Sequence, residues 1–354
     1  KITSVRRIST RYDKRAIASV SLQPVAARAV WRRELSAQPR EQGMKTCVVG
    51  GAGFIGRVLT GLLVGLDREV TVLGRSPQPA RPLPAGVRYQ PCAGASPREL
   101  AHALRGCDEL VDLAYATMPN TSFKDPIFDI QANLPFAVGL LQAAVAAEVK
   151  RMVIVSSGGT VYGRAQELPI AETHPTLPLS PYGITKLTLE KYALMYHLCH
   201  GVPVMVVRPA NAYGEEQNAS QGQGFVAAVM ARVAAGAEVQ IFGPQGTVRD
   251  YIHVSDVARG IAAALLAGSP GEIYNIGTGS GRNNMEVLEA VCRVAAVAPE
   301  SVHVRFLPAR PFDVPANVLD ASKLRRQTGW EPRVSFASGL AACWERYKVG
   351  LAGS

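Results

Sequence analysis

A chain of 354 residues, 47% hydrophobic and 19% charged, is long enough to bury one large or two modest cores and has the balance of a soluble globular enzyme. No apolar run approaches the ~20 residues that span a bilayer, which argues against a membrane-embedded protein. The net charge of +10 invites a nucleic-acid partner, yet residues 1–43 hold ten Lys/Arg against three acids, +7, and leave only +3 for the remainder.

Residues 1–43 therefore read as a basic extension outside the fold, because Met44 directly precedes "KTCVVGGAGFIG", where a globular core begins. An Arg- and Ser-rich, acid-poor leader also fits an organellar transit peptide. A nucleic-acid arm fits less well. The six cysteines, at 47, 92, 107, 199, 292 and 343, show neither CxxC nor Cys/His metal spacing. They are expected to be small core residues of a protein in a reducing compartment, the cytoplasm, and not a disulfide frame.

From residue 44 short apolar runs alternate with helical periodicity. "TCVVG" (46–50) and "EVTVLG" (69–74) are strand-like, with the helical "FIGRVLTGLLVGL" (54–66) between them. "ELVDLA" (109–114), "RMVIVSS" (151–157) and "VPVMVVRP" (202–209) are further buried strands, and long helices are expected at 126–147 and 181–199. Strands buried on both faces and separated by helices predict an α/β fold, a doubly wound parallel sheet of the Rossmann type. After about residue 210 the alternation loosens around Pro- and Gly-rich turns at 243–246, 268–271 and 277–281. The expected division is a dinucleotide-binding domain at 44–210, with return segments near 248–276, and a smaller C-terminal α/β substrate lobe at 211–354.

"GGAGFIG" places Gly50, Gly53 and Gly56 directly after a strand and at the start of a helix. Glycines there permit a tight turn and close backbone approach, and the helix N-terminus offers free N–H groups to a pyrophosphate. Phe54 and Ile55 complete the turn. The GxxGxxG spacing resembles the extended branch of the short-chain dehydrogenase/reductase superfamily. An acid at the end of the second strand would hold the 2′-hydroxyl of NAD. The chain has Gly74-Arg75-Ser76 instead, so Arg75 either pairs with the 2′-phosphate of NADP or lies along the adenine.

"YGITK" sets Tyr182 and Lys186 four residues apart, on one face of a helix. A phenol of pKa about 10 is a poor base at neutral pH. A nearby ammonium is expected to lower it and make Tyr182 a general acid–base. A surface Tyr and Lys on an amphipathic helix would look the same in isolation.

Together with "NLPFAVGLLQAA", "SSGGTVYG", "SPYGITKLTLEKY", "RPANAYG", "VRDYIHVSDVARG", "NIGTG", "RPFDVPANVLDASK" and "GWEP", these stretches make nearly all of residues 44–354 resemble the UDP-glucose 4-epimerase group of NAD-dependent epimerases and dehydratases. The resemblance implies that Tyr182 removes the proton from a sugar hydroxyl, that Lys186 holds the nicotinamide ribose, and that Ala114, Asn133, Ser156 and Pro209 lie at the cofactor or its water network. It implies Asn211, Arg249 and Arg310 at the nucleotide pyrophosphate, with Asp313 near the uridine end. NAD is the cofactor it favours, a UDP-sugar the partner, and a homodimer through the helices at 126–147 and 181–199 the assembly.

The family's proton-relaying hydroxyl falls on Gly158. Ser157, redirected by a turn at Gly158-Gly159, or Thr160, on the same side of an extended chain, could replace it. The family's 4,6-dehydratases carry an Asp-Glu pair before "VYG", where this chain has Gly159 and Thr160. That absence favours epimerisation. The six histidines lack ligand spacing, so neither a metal nor a Ser/His/Asp triad is expected, and His253 reads as a packing residue. The alternatives are an NAD(P)-dependent reductase of another carbonyl substrate, motivated by Arg75, and a non-catalytic NAD(P)-binding sensor, motivated by Gly158.

Overall fold

The computed structural model describes residues 43–92, 96–217, 224–244, 246–310 and 313–352. The basic extension, and most of the "SQGQGF" stretch (220–225) expected to form a pocket loop, lie outside the described residues. Strands β1 (Lys45–Val49), β2 (Glu69–Gly74), β3 (Arg88–Pro91), β4 (Glu109–Asp112), β5 (Arg151–Val155), β6 (Val204–Pro209) and β10 (Ile273–Ile276) form one sheet. Its order is β10-β6-β5-β4-β1-β2-β3, and every pair is parallel. The expected doubly wound sheet is therefore present, extended by the short β3 and by β10.

Side chains alternate across each strand and fill two cores. On β1, Val48 joins Leu59 and Leu63 of helix α1 (Phe54–Gly65) and Val257, Ile261 and Leu265 of α7 (Val254–Ala267) on one face. Cys47 and Val49 point the other way. They meet Leu100 of α2 (Pro97–Ala103), Leu140 and Leu141 of α4 (Pro126–Ala146), and Ala193 and Tyr196 of α5 (Pro181–His200). A one-turn helix, α3 (Pro119–Ser122), precedes α4.

The long helices start where the sequence says they should. Asp125 accepts the Phe128 N–H at 2.8 Å before Pro126, and Ser180 accepts the Gly183 N–H at 3.1 Å before Pro181. Each cap fills an otherwise orphaned donor, and each Pro loses nothing at the first helical position. α5 ends at Gly201 in the left-handed conformation, φ +70°.

The C-terminal part adds β7 (Asn211–Tyr213), β8 (Val239–Phe242), β9 (Val248–His253), β11 (Gly281–Arg282), β12 (Val304–Leu307) and β13 (Ala316–Asn317). β9 is the hub, pairing with β7, β11 and β13, while β8 pairs with β12. Helices α6 (Phe225–Ala234), α8 (Asn284–Ala295) and α10 (Phe336–Ala352) enclose a third core around Val229, Tyr251, Leu288 and Leu340, and α9 (Ser322–Thr328) packs on α7. The sheet and this lobe belong to one compact unit, Arg40–Ser354. Among the described residues no helix is long and apolar enough to cross a membrane. No two of the six cysteines form a disulfide; four are buried, Cys92 is half-buried, and Cys199 departs from the expected core role by being exposed on α5.

Candidate active site

Strand order reverses between β1 and β4, and a crevice outside their carboxyl ends is where such sheets bind ligands. Gly50 leaves β1 at φ +75°, and a Cβ there would lie 3.0 Å from the Ala114 backbone at the end of β4. A Cβ on Gly56 would stand 2.6 Å from the Gly50 carbonyl oxygen. Only glycine lets the turn and α1 approach so closely. Gly53 caps α1 without a side chain, so the first-turn N–H groups stay open to an anion. Phe54 lies along Gly214, Ile55 packs on the core, and Arg57 in the first turn pairs with Glu216 at 2.9 Å.

Tyr182 and Lys186 project from the first turns of α5. The Lys186 ammonium donates to the Val155 carbonyl at 2.8 Å and sits 4.1 Å from the centroid of the Tyr115 ring. Tyr115 meets Tyr182 edge to face, centroids 4.8 Å apart. Burial pushes Lys186 down to about 8, against the pull of the Asp112, Glu190 and Asp129 carboxylates. Burial likewise pushes Asp112, at the end of β4, up to about 6, with Lys186 opposing.

The phenol differs from expectation. Burial holds Tyr182 up at about 12, opposed by a hydrogen bond from Ser157 and reinforced by the Asp129 charge. The ammonium, 5.9 Å from the Tyr182 ring centroid and turned toward Val155 and Tyr115, does not lower it in this arrangement.

The turn after β5 sets the two candidate hydroxyls apart. The strand ends at Val155, and the Thr160 and Val161 N–H groups fold back onto the Ser157 carbonyl. Ser157 faces Tyr182, whereas the Thr160 hydroxyl bonds the Ser157 backbone at 3.5 Å. A Cβ on Gly158 would run into Leu319 Cδ1 at 2.4 Å and the Arg208 carbonyl oxygen at 2.9 Å. Position 158 thus points into packing. Gly159 is the open position beside the crevice: its Cβ would meet Asn211 Oδ1 at 3.4 Å and Ser157 Oγ at 4.0 Å.

Other sequence candidates sit one step back. Asn133 spends its amide on the Ala116 N–H at 2.7 Å, the Asp129 carbonyl at 2.7 Å and Thr117 at 3.3 Å, bracing the loop after β4. The Ala114 N–H bonds Asp112 at 2.9 Å. The Ser156 hydroxyl turns away to Glu190, whose carboxylate takes Arg208 bidentately at 2.9 and 2.6 Å in a buried pair. The Pro209 carbonyl accepts the Gly158 N–H at 2.9 Å. Arg75 is exposed at the end of β2.

In the C-terminal lobe Arg249 donates to the Val248 and Val314 carbonyls at 2.8 and 2.9 Å, and Arg310 pairs with Asp313 at 2.7 Å over the Phe242 ring. Burial, and less strongly the Arg310 charge, lower Arg249, against the opposing pull of Tyr251 and Asp313. The structure thus brings the two arginines into one field. Sequence reasoning missed Tyr115, Asp112 and the fully buried Asp129, which takes hydrogen bonds from Thr117 and Thr185 beneath the site. No spacing signalled them, because they follow strand ends and helix faces that only packing brings together.

A Gly-rich turn at a sheet crevice, together with a Tyr/Lys pair on α5, defines a dinucleotide-dependent enzyme of the short-chain dehydrogenase type. The chain belongs to the NAD dependent epimerase/dehydratase family, whose profile matches residues 46–277. It is similar to the UDP-glucose 4-epimerase of Thermotoga maritima, solved with UDP-glucose (30% identity, TM-score 0.81, 87% of this chain and 100% of that one). It is similar to the Thermus thermophilus UDP-glucose 4-epimerase complexed with NAD (33%, TM-score 0.79, 86% and 99%). It is also 33% identical over 326 residues to a dTDP-glucose 4,6-dehydratase of an Actinoplanes species (86% and 98%). The cofactor is NAD, and the chemistry lies among nucleotide-sugar epimerases and dehydratases. The residues present fit that cofactor: a glycine-rich turn, open helix N–H groups and a buried ammonium.

Proposed function

We propose that this chain is a nucleotide-sugar 4-epimerase acting on a UDP-hexose through a 4-keto intermediate. The observation that carries it is Gly159, the crevice-facing position of the turn, where no carboxylate stands beside Ser157 and Asn211. Loss of water from the sugar would need an acid and a base at carbon. Proton exchange at one hydroxyl needs only Tyr182 and its partner.

Bound NAD supplies a two-electron oxidation and its reversal. The Gly50–Gly56 turn and the α1 N-terminus hold its pyrophosphate, Arg75 lies at its adenosine end, and Lys186 binds its nicotinamide ribose. With its own phenolic proton first released to solvent, Tyr182 takes the proton from the sugar hydroxyl, with Ser157 aligning it, and returns the proton after the keto sugar turns over. Asn211, Arg249 and Arg310 hold the diphosphate, as convergent guanidinium groups do, with Asp313 toward the uridine.

The assembly we propose is a cytoplasmic homodimer through α4 and α5, which leave Ile127, Phe128, Ile130, Ile184 and Leu198 exposed. Arg75, exposed and without an ion pair among the described residues, favours a second reading, an NAD(P)-dependent reductase of another carbonyl substrate. The deciding experiment incubates the protein with UDP-glucose or UDP-N-acetylglucosamine and follows the sugar by proton NMR. Appearance of the C4 epimer with no net cofactor consumption supports the epimerase. Unchanged sugars beside carbonyl-dependent oxidation of NADPH would replace it with the reductase.

A further inference from the structure

Away from the crevice, three potential ligand atoms converge where β7, β9 and α10 meet. Glu215 follows β7, His253 ends β9, and Cys343 lies on α10; their donor atoms are all within 4.8 Å of one another. Register fixes two of them, since β7 and β9 pair in parallel with Tyr213 opposite His253. α10 is clamped alongside: a Cβ on its Gly339 would lie 2.3 Å from the Tyr213 hydroxyl.

His253 Nε2 is the telling atom. The residue is 7% exposed, and among the described residues Nε2 has no hydrogen-bond partner. The Glu215 carboxylate stands 3.3 Å away, close enough to attract but not aligned to bond. The other nitrogen, Nδ1, lies 2.8 Å from the Ser255 hydroxyl and 3.3 Å from the Ser255 N–H. Because Nδ1 accepts the Ser255 N–H, the ring proton of the metal-free site lies on Nε2 toward Glu215; a metal ion taking Nε2 would displace it, with Nδ1 then protonated and donating to the Ser255 hydroxyl. A ligating imidazole is normally oriented in this way, through its second nitrogen.

We propose that Glu215, His253 and Cys343 bind a zinc ion, with a fourth position open to solvent beside Glu215. Carboxylate, imidazole and thiolate together suit zinc better than magnesium or calcium, which take oxygen ligands. Zinc takes sulfur at about 2.3 Å and nitrogen at about 2.0 Å, so the three donor atoms, all within 4.8 Å of one another, would draw together around the ion. Three protein ligands plus water is an ordinary open zinc sphere. The ion would fasten the Gly214–Glu216 turn, which touches α1 through Phe54 and Arg57, to the C-terminal helix.

The full chain is stripped with a chelator, dialysed against zinc chloride and analysed for metal by mass spectrometry. Expected are one equivalent of zinc per chain and at least tenfold weaker binding in both Glu215→Gln and Cys343→Ser, with Cys199→Ser unchanged. Cobalt(II) on the wild-type protein should give a thiolate charge-transfer band that Cys343→Ser abolishes. Wild-type protein that takes up no stoichiometric zinc, or cobalt protein lacking that band, overturns the proposal; neither result depends on a variant folding.

Discussion

The Lys186 ammonium stands over the face of the Tyr115 ring, 4.1 Å from its centroid. A desolvated cation over an aromatic face gains about 0.5–2 kcal/mol, so Tyr115 helps keep Lys186 charged in a buried place. It also holds the ammonium away from the Tyr182 ring. Burial keeps the Tyr182 phenol pushed up to about 12, and the group opposing that rise is Ser157.

Removal of the Tyr182 hydroxyl in Tyr182→Phe should lower the turnover number by about 10²–10⁴, the usual share of a general acid–base. Bound dinucleotide, read by absorbance of the released cofactor, should be retained. Ser157→Ala should lose at least tenfold more activity than Thr160→Ala, since only Ser157 faces the phenol. Equal losses from the two would reassign the hydroxyl.

Gly158→Ser would appear to restore the family's hydroxyl. Its Cβ would instead overlap Leu319 and the Arg208 carbonyl, and overpacking of this kind costs about 1–3 kcal/mol. A lower midpoint in urea with no gain in turnover is expected. A gain in turnover at unchanged stability would show that the turn can open.

Lys186 should set the alkaline limb of the pH profile. Its folded value is pushed down to about 8 while the unfolded chain titrates near 10.5. Between these values the unfolded state binds more protons, so this group makes stability rise with pH there. Activity falls in the same window as the ammonium is lost. Asp112→Asn removes a carboxylate that holds the proton on Lys186, so the alkaline limb of kcat/KM should move to lower pH. A limb that stays in place would remove Lys186 as its source.

Glu190→Ala leaves Arg208 charged in a buried site and frees the Ser156 hydroxyl. Breaking a buried pair in this way costs about 3–5 kcal/mol, which thermal unfolding will show as a large drop in midpoint. Loss of less than about 1 kcal/mol would mean that water reaches Arg208.

Leu198 is 82% exposed on α5 and Ile184 54%. A Leu198→Glu, Ile184→Glu double variant should shift the mass measured by light scattering from dimer to monomer while far-UV circular dichroism stays unchanged. A wild-type protein that is already monomeric would remove the dimer.

Much of the fold was legible because it is local. The apolar strand runs at 46–50 and 151–157, the helices at 126–147 and 181–199, and the glycines at 50, 53 and 56 each satisfy a backbone or periodicity demand within a few residues. The Tyr182/Lys186 pair was legible for the same reason, since one helical turn sets it.

The sequence by itself determined the doubly wound sheet, the dinucleotide turn and the pair on α5. Tertiary structure alone decided which hydroxyl meets Tyr182, because Leu319 lies 161 positions from Gly158 and occupies the space a side chain there would need. It alone placed Tyr115 over Lys186, drew Asp112 beneath it, and gathered Glu215, His253 and Cys343 from three separated elements. Spacing along a chain fixes only neighbours on one strand or helix; contacts made across the sheet crevice depend on how whole elements pack.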